Sequence, residues 1–285
     1  MSFMTLKLTS RLLHGPVNID IVVPEPGFTD DPKEFYSSTE KYKVLWLLHG
    51  SENDCDSWFL CTNVYRYAME RDIVLVSATV LNSDYSNYTT FADGFPVWDF
   101  FLEELRPAVF RLLPVSDKRE DNYIAGYSMG GNGALMFASS CPELFGGVAV
   151  LSSTAREVDY LRPVAAMESG QFRKAAGDKE RFPGPNGTGM RLKEVNQVAK
   201  YGTVGDFLAS PENVWDRMKE TAGEFPMLYA CCGTEDRNVY PRFLRFREYC
   251  KSLGISGLFE EYQGYGHEHA LWDVAIQKAM DYFGL

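Results

Sequence analysis

The residues of this sequence best equipped for chemistry lie in Gly126-Tyr127-Ser128-Met129-Gly130-Gly131. An apolar run, Tyr123-Ile124-Ala125, precedes them, and good helix formers, Ala134-Leu135-Met136-Phe137-Ala138, follow. That context predicts strand, sharp turn and helix, with Ser128 at the apex, its hydroxyl lifted clear of the sheet edge near a helix N-terminus. Gly126 and Gly130 keep the close approach of strand and helix free of side chains. A Gly-rich turn with no chemistry fits the same string, so the case depends on partners elsewhere.

A serine hydroxyl needs a base within hydrogen-bond reach. The sequence has four histidines: His14, His49, His267 and His269. His267 lies on Gly264-Tyr265-Gly266-His267, between a late strand at 257–262 and the last helix, where a base for such a serine belongs. His269 is two residues away and is read as the start of that helix. His14 is read as a turn residue. The base needs an acid to hold its tautomer. Glu235 and Asp236, at the end of the strand Met227 to Cys231, both stand in the right place, giving the chain order serine, acid, histidine. Two backbone amides would complete acyl-transfer chemistry by holding an oxyanion. These are that of Met129, after the serine, and that of Ser51, after the early strand ending His49-Gly50.

The elements that must position these residues follow from apolar pattern. Residues 5–23 read as an antiparallel hairpin at a sheet edge, with alternating Leu6, Leu8, Ile19, Ile21 and Val23. Val44–Leu48, Ile73–Val80 and Phe145–Leu151 are continuous apolar runs suited to strands buried on both faces. A helix is expected over Ser57 to Arg71. Another carries the stripe Trp98, Phe101, Leu105, Val109 and Leu112, with a kink expected at Pro107. Alternating strands and helices indicate a mostly parallel central sheet flanked by helices, whose sites form at strand carboxyl ends. Residues 153–224 break the rhythm. They are polar and helix-prone, read as an insertion over that edge and a lid, or else as an excursion away from the site.

Composition bounds the partners. The chain has 285 residues, 45% hydrophobic and 24% charged, and a net charge of −11, which argues against nucleic acid or an anionic membrane. No run approaches the roughly 20 apolar residues of a spanning helix. The N-terminus lacks a signal-peptide apolar core, so a cytoplasmic protein is expected. The six cysteines form no C-x-x-C pair, so no metal site is expected and free thiols are.

Taken together, Leu47-Leu48-His49-Gly50, Ser57-Trp58, the Ser128 elbow, Cys232-Gly233-Thr234-Glu235-Asp236 and Gly266-His267 resemble the esterase D family, its tributyrin esterase branch above all. That branch is related to feruloyl and acetyl-xylan esterases and to S-formylglutathione hydrolase. The resemblance implies an α/β-hydrolase fold and cofactor-free hydrolysis of short-chain, acetyl or feruloyl-type esters. It also implies Ser128, His267 and Asp236 as triad, the amides of Ser51 and Met129 as oxyanion hole, and a homo-oligomer such as some relatives form. Thioester hydrolysis, acyl transfer to an alcohol and a non-catalytic binding role are the rivals. Three departures, Ser51-Glu52-Asn53, Asn132 and His269, replace residues usually apolar or aromatic and imply a more polar mouth. Tyr85, Tyr88, Phe91 and Trp98 are candidates to line an acyl pocket, although core packing accounts for them equally. A base that must be neutral implies activity falling below about pH 6–7.

Overall fold

The computed structural model describes residues 1–88, 94–184, 187 and 189–285. Phe91 lies outside them. Eight strands form one sheet: β1 Ser2–Ser10, β2 Gly15–Val23, β3 Val44–Leu48, β4 Val74–Ala78, β5 Asn122–Tyr127, β6 Gly147–Leu151, β7 Met227–Gly233 and β8 Gly257–Tyr262. Their spatial order is β1-β2-β4-β3-β5-β6-β7-β8. The β1–β2 hairpin is antiparallel and joins β4 antiparallel, and every pairing from β4 to β8 is parallel. This is the α/β-hydrolase fold.

The continuous apolar runs have a simple cause. Val44, Trp46 and Leu48 of β3 pack into one core cluster, while Leu45 and Leu47 pack into another on the opposite face. Side chains alternate across a strand, so a strand covered on both faces can have no polar phase. The helix Met129–Ser140 is apolar all round and almost wholly buried, as a helix lodged in the core must be. The helix His269–Phe283 covers the other face through Trp272, Ile276 and Met280.

Two elements differ from the sequence expectation for local reasons. The 57–71 helix is two helices, Ser57–Cys61 and Val64–Met69. At the break the Thr62 hydroxyl donates to Trp58 O and accepts from Val64 N–H, and Asp273 accepts from Asn63 at 2.6 and 2.8 Å. Those contacts satisfy the chain ends that a continuous helix would have satisfied itself. The kink expected at Pro107 takes the form of a widened turn, a π-helical stretch at Phe100–Leu105 just before it. A proline cannot donate to the preceding turn, and widening that turn accommodates the missing bond.

Among the described residues of 153–224 are a 3₁₀ turn, Asp159–Val164, and four short helices, Ser169–Ala175, Leu192–Ala199, Val204–Leu208 and Val214–Thr221. The stretch has its own small cluster around Leu161, Phe172, Phe182 and Phe207. Val214 and Met218 join the main core instead. Among the described residues no helix is long and apolar enough to cross a membrane. All six cysteines are free thiols.

Candidate active site

The strand-to-helix turn after β5 holds Ser128 at φ +53° and ψ −119°, a region an L residue occupies only under constraint. The constraint is visible. A Cβ on Gly126 would lie 2.1 Å from Gly130 O, and one on Gly130 would lie 2.1 Å from Leu48 O. Strand, turn and neighbouring strand meet backbone to backbone, and only glycine fits. Ser128 N–H donates to Leu151 O at 3.0 Å, pinning the turn to β6.

The loops after β7 and β8 are laced together. Thr234 N–H donates to Tyr262 O at 3.0 Å and Glu235 N–H to Tyr265 O at 2.9 Å. Between them they bring Asp236 to His267, with Oδ2 2.6 Å from Nδ1, and His267 Nε2 lies 2.9 Å from Ser128 Oγ. The other carboxylate oxygen of Asp236 accepts from the amides of Asn238 and Val239 at 3.2 and 2.9 Å. Burial alone would raise the pKa of Asp236. The His267 bond, these amides and the nearby imidazole outweigh it and hold the carboxyl below its usual range. A carboxylate therefore accepts from Nδ1–H, and Nε2 is left to accept the Ser128 proton. Glu235, the other acid the sequence offered, is absent from this chain of bonds.

His49 has a structural place. Val80 N–H donates to its Nε2 at 3.1 Å, so the proton sits on Nδ1, which meets Gly50 O at 2.8 Å. Burial pushes its pKa down, and the neutral ring braces the loop that carries Ser51. His269 begins the last helix, edge-on to Trp272 at 4.6 Å and to Tyr127 at 5.4 Å. Its Nε2 is buried and, among the described residues, has no hydrogen-bond partner. Desolvation first, then the proximity of His267, lower its pKa, so it stays neutral.

A cavity of about 370 Å³ opens over Ser128, with Ser51, Met129, Asn132 and His267 on its wall. Tyr85, Tyr88 and Trp98 do not line it. Tyr85 is 1% exposed, packs where a Gly133 side chain would stand, and donates to His49 O at 3.1 Å. Tyr88 lies under the Lys200 ammonium, 4.2 Å from its ring centre, and borders a separate hollow with Phe95 and Arg173. Trp98 stacks on Phe137 at 4.3 Å as part of the core. Of the two readings the sequence allowed, Tyr85 and Trp98 follow the packing one, and Tyr88 lines a hollow away from Ser128.

The rest of the wall mixes apolar residues, among them Val158, Leu161, Met190 and Phe207, with polar ones that were not singled out in the sequence. Arg156 and Lys193 come from residues 153–224, Arg242 from the helix Tyr240–Ser252, and Asp84 from the loop after β4. One oxygen of the buried Asp84 takes both Arg156 and Lys193, the latter at 3.0 Å. Lys193 also reaches Ser51 Oγ at 3.4 Å. The one hint in the sequence is Ser152-Ser153-Thr154, a small polar run at the carboxyl end of β6 whose three residues all line the cavity.

The family described as Putative esterase matches residues 30–280. An acetyl esterase of Caldicellulosiruptor saccharolyticus is 25% identical over 99% of this chain and 98% of its own length. Two solved structures from Staphylococcus aureus share the fold. The fluorophosphonate-binding serine hydrolase FphF has a TM-score of 0.75 at 23% identity, covering 99% of this chain and 98% of its own. The S-formylglutathione hydrolase FrmB has a TM-score of 0.72 at 24% identity with the same coverage.

Proposed function

The chain belongs to that esterase family and is a carboxylic ester hydrolase, and from this premise we propose that Ser128 is the nucleophile of a serine esterase acting on short-chain acyl, acetyl or feruloyl-type esters. One observation carries the assignment: the unbroken line of hydrogen bonds Asp236–His267–Ser128, at 2.6 and 2.9 Å, opening on the cavity.

In this reading His267 Nε2 takes the Ser128 proton as Oγ attacks the ester carbonyl. The amides of Ser51 and Met129 hold the oxyanion of the tetrahedral intermediate. His267 then gives its proton to the leaving alcohol, and the acyl group stays on Ser128 Oγ. A water, deprotonated by the same imidazole, attacks the acyl-enzyme and releases the acid. Asp236 holds the tautomer throughout and offsets the charge of the imidazolium. Residues 153–224 act as the wall, and in this proposal the lid, that encloses the ester.

Hydrolysis of p-nitrophenyl esters from acetate to decanoate, with methyl ferulate, tests the reading. Wild type cleaves the short members, and Ser128→Ala loses about 10³-fold or more in kcat/KM. A fluorophosphonate probe labels wild type and not the variant. Equal turnover by both proteins sinks the assignment. A parallel thioester panel separates an oxygen esterase from a thioesterase with the same triad.

A further inference from the structure

The wall of the cavity over Ser128 carries four cations, Arg156, Arg191, Lys193 and Arg242, and four carboxylates, Asp84, Glu157, Glu194 and Asp236. Arg242 lines it from the first turn of the helix Tyr240–Ser252, close in sequence to Asp236. Its Nε donates to Asn238 O at 2.9 Å, which fixes the plane of the guanidinium. Among the described residues no carboxylate pairs with its two Nη groups. The acids nearest in the wall are engaged elsewhere: Asp236 by His267 and two amides, Glu157 by Arg245 at 2.7 Å. Elsewhere on the wall Arg156 and Lys193 share the carboxylate of Asp84. Arg191 pairs with Glu194 at 2.8 Å, which leaves Arg242, among the described residues of the wall, as the cation with no carboxylate partner.

A half-buried guanidinium with a fixed plane and unmatched Nη edges is a receptor for a planar or tetrahedral oxyanion, which it can hold by two parallel bonds. Burial, which pushes its pKa down, also makes an anionic partner more valuable there than at an open surface. We propose that the ester taken by this site carries a second, anionic group, a carboxylate or phosphate, which docks on Arg242 while the ester carbonyl lies at Ser128. This rests on the esterase reading above and narrows its substrate class. Arg242 becomes the specificity-determining residue.

The test uses two matched ester pairs. On the alcohol side, 4-acetoxybenzoate is compared with its methyl ester; on the acyl side, mono-p-nitrophenyl adipate with methyl p-nitrophenyl adipate. Wild type favours the anionic member of at least one pair by about tenfold or more in kcat/KM, as a charge-assisted bond to a partly buried group requires. The responding pair shows which side of the ester faces Arg242. In Arg242→Gln that preference falls to within about twofold, and Arg242→Lys, which keeps charge without the fork, retains part of it. Equal use of charged and neutral members by wild type, or a preference that survives in Arg242→Gln, overturns the proposal while neutral-ester cleavage leaves the esterase reading standing. Failure to cleave any of the four esters brings down both.

Discussion

Replacing Asp236 with asparagine puts the geometry of the site to its sharpest test. The two oxygens of Asp236 have different duties: one meets His267 Nδ1 at 2.6 Å, the other accepts from the amides of Asn238 and Val239. An asparagine has one oxygen. If it faces His267, the side-chain NH2 confronts two backbone donors and both lose their acceptor, at about 1–3 kcal/mol each. The oxygen therefore stays with the backbone and the NH2 turns to Nδ1. That reverses the imidazole tautomer, placing the proton on Nε2, where it can no longer accept from Ser128. Losing the carboxylate charge opposite the imidazolium adds about 1.5–3 kcal/mol. To react, the asparagine must flip back and forfeit both backbone bonds, so the low ends of all three terms count and sum to about 3.5 kcal/mol, a loss of about 400-fold in kcat/KM. Ester hydrolysis measures that loss, and ¹⁵N shifts of the His267 ring report the tautomer without substrate. A loss under about tenfold, or a ring still protonated on Nδ1, refutes the reasoning. The carboxyl of Asp236 is held below its ordinary range when folded, so its charged form contributes stability above about pH 4 that is lost as pH falls through the lowered folded value. The gap in urea midpoint between wild type and Asp236→Asn accordingly narrows from about pH 7 to about pH 3.

Gly130→Ala places a methyl 2.1 Å from a backbone carbonyl that cannot swing aside, so it lowers stability by about 1–3 kcal/mol in urea unfolding and dislodges the Ser128 turn. Lys193→Met frees Ser51 from its tether to Asp84 and lowers kcat about three- to tenfold, whereas Lys193→Arg keeps most of it; steady-state kinetics on a neutral ester decides. Asp56 shares a hydrogen bond with Asp54 and, with some burial, is pushed up to about 6. A raised carboxyl contributes stability that is fully present below the unfolded value and lost as pH rises through the folded one, so Asp56→Asn raises the melting temperature at about pH 8, by less at about pH 5, and not at about pH 3.

The central strands β3 to β7 were legible because they are buried on both faces, which leaves the sequence no polar phase and makes the apolar run unmistakable. The turn at Ser128 was legible because backbone-to-backbone contact admits only glycine, so the constraint is written in residue type. His267 and Asp236 could be placed by chain order at strand ends, but their meeting depends on hydrogen bonds between two loops, which no local pattern encodes. The break at Thr62-Asn63 was hidden for the same reason, since Asp273 satisfies it from across the fold. Tyr85, Tyr88 and Trp98 show the limit of aromatic pattern: a ring in a long loop looks alike whether it walls a cavity or fills a core. Arg156, Lys193 and Arg242 sit in polar stretches where any surface residue looks the same.

The reactive groups and most of the cavity's cations belong to different parts of the chain. Ser128, Asp236 and His267 stand on loops at the ends of β5, β7 and β8, tied to the sheet by their own backbone bonds. Arg156, Arg191 and Lys193 stand on a stretch with a core of its own. Under the proposed function, exchange of the helices within 153–224 between homologues is expected to shift the ester preference, read as kcat/KM across an ester panel, without displacing Ser128, Asp236 and His267.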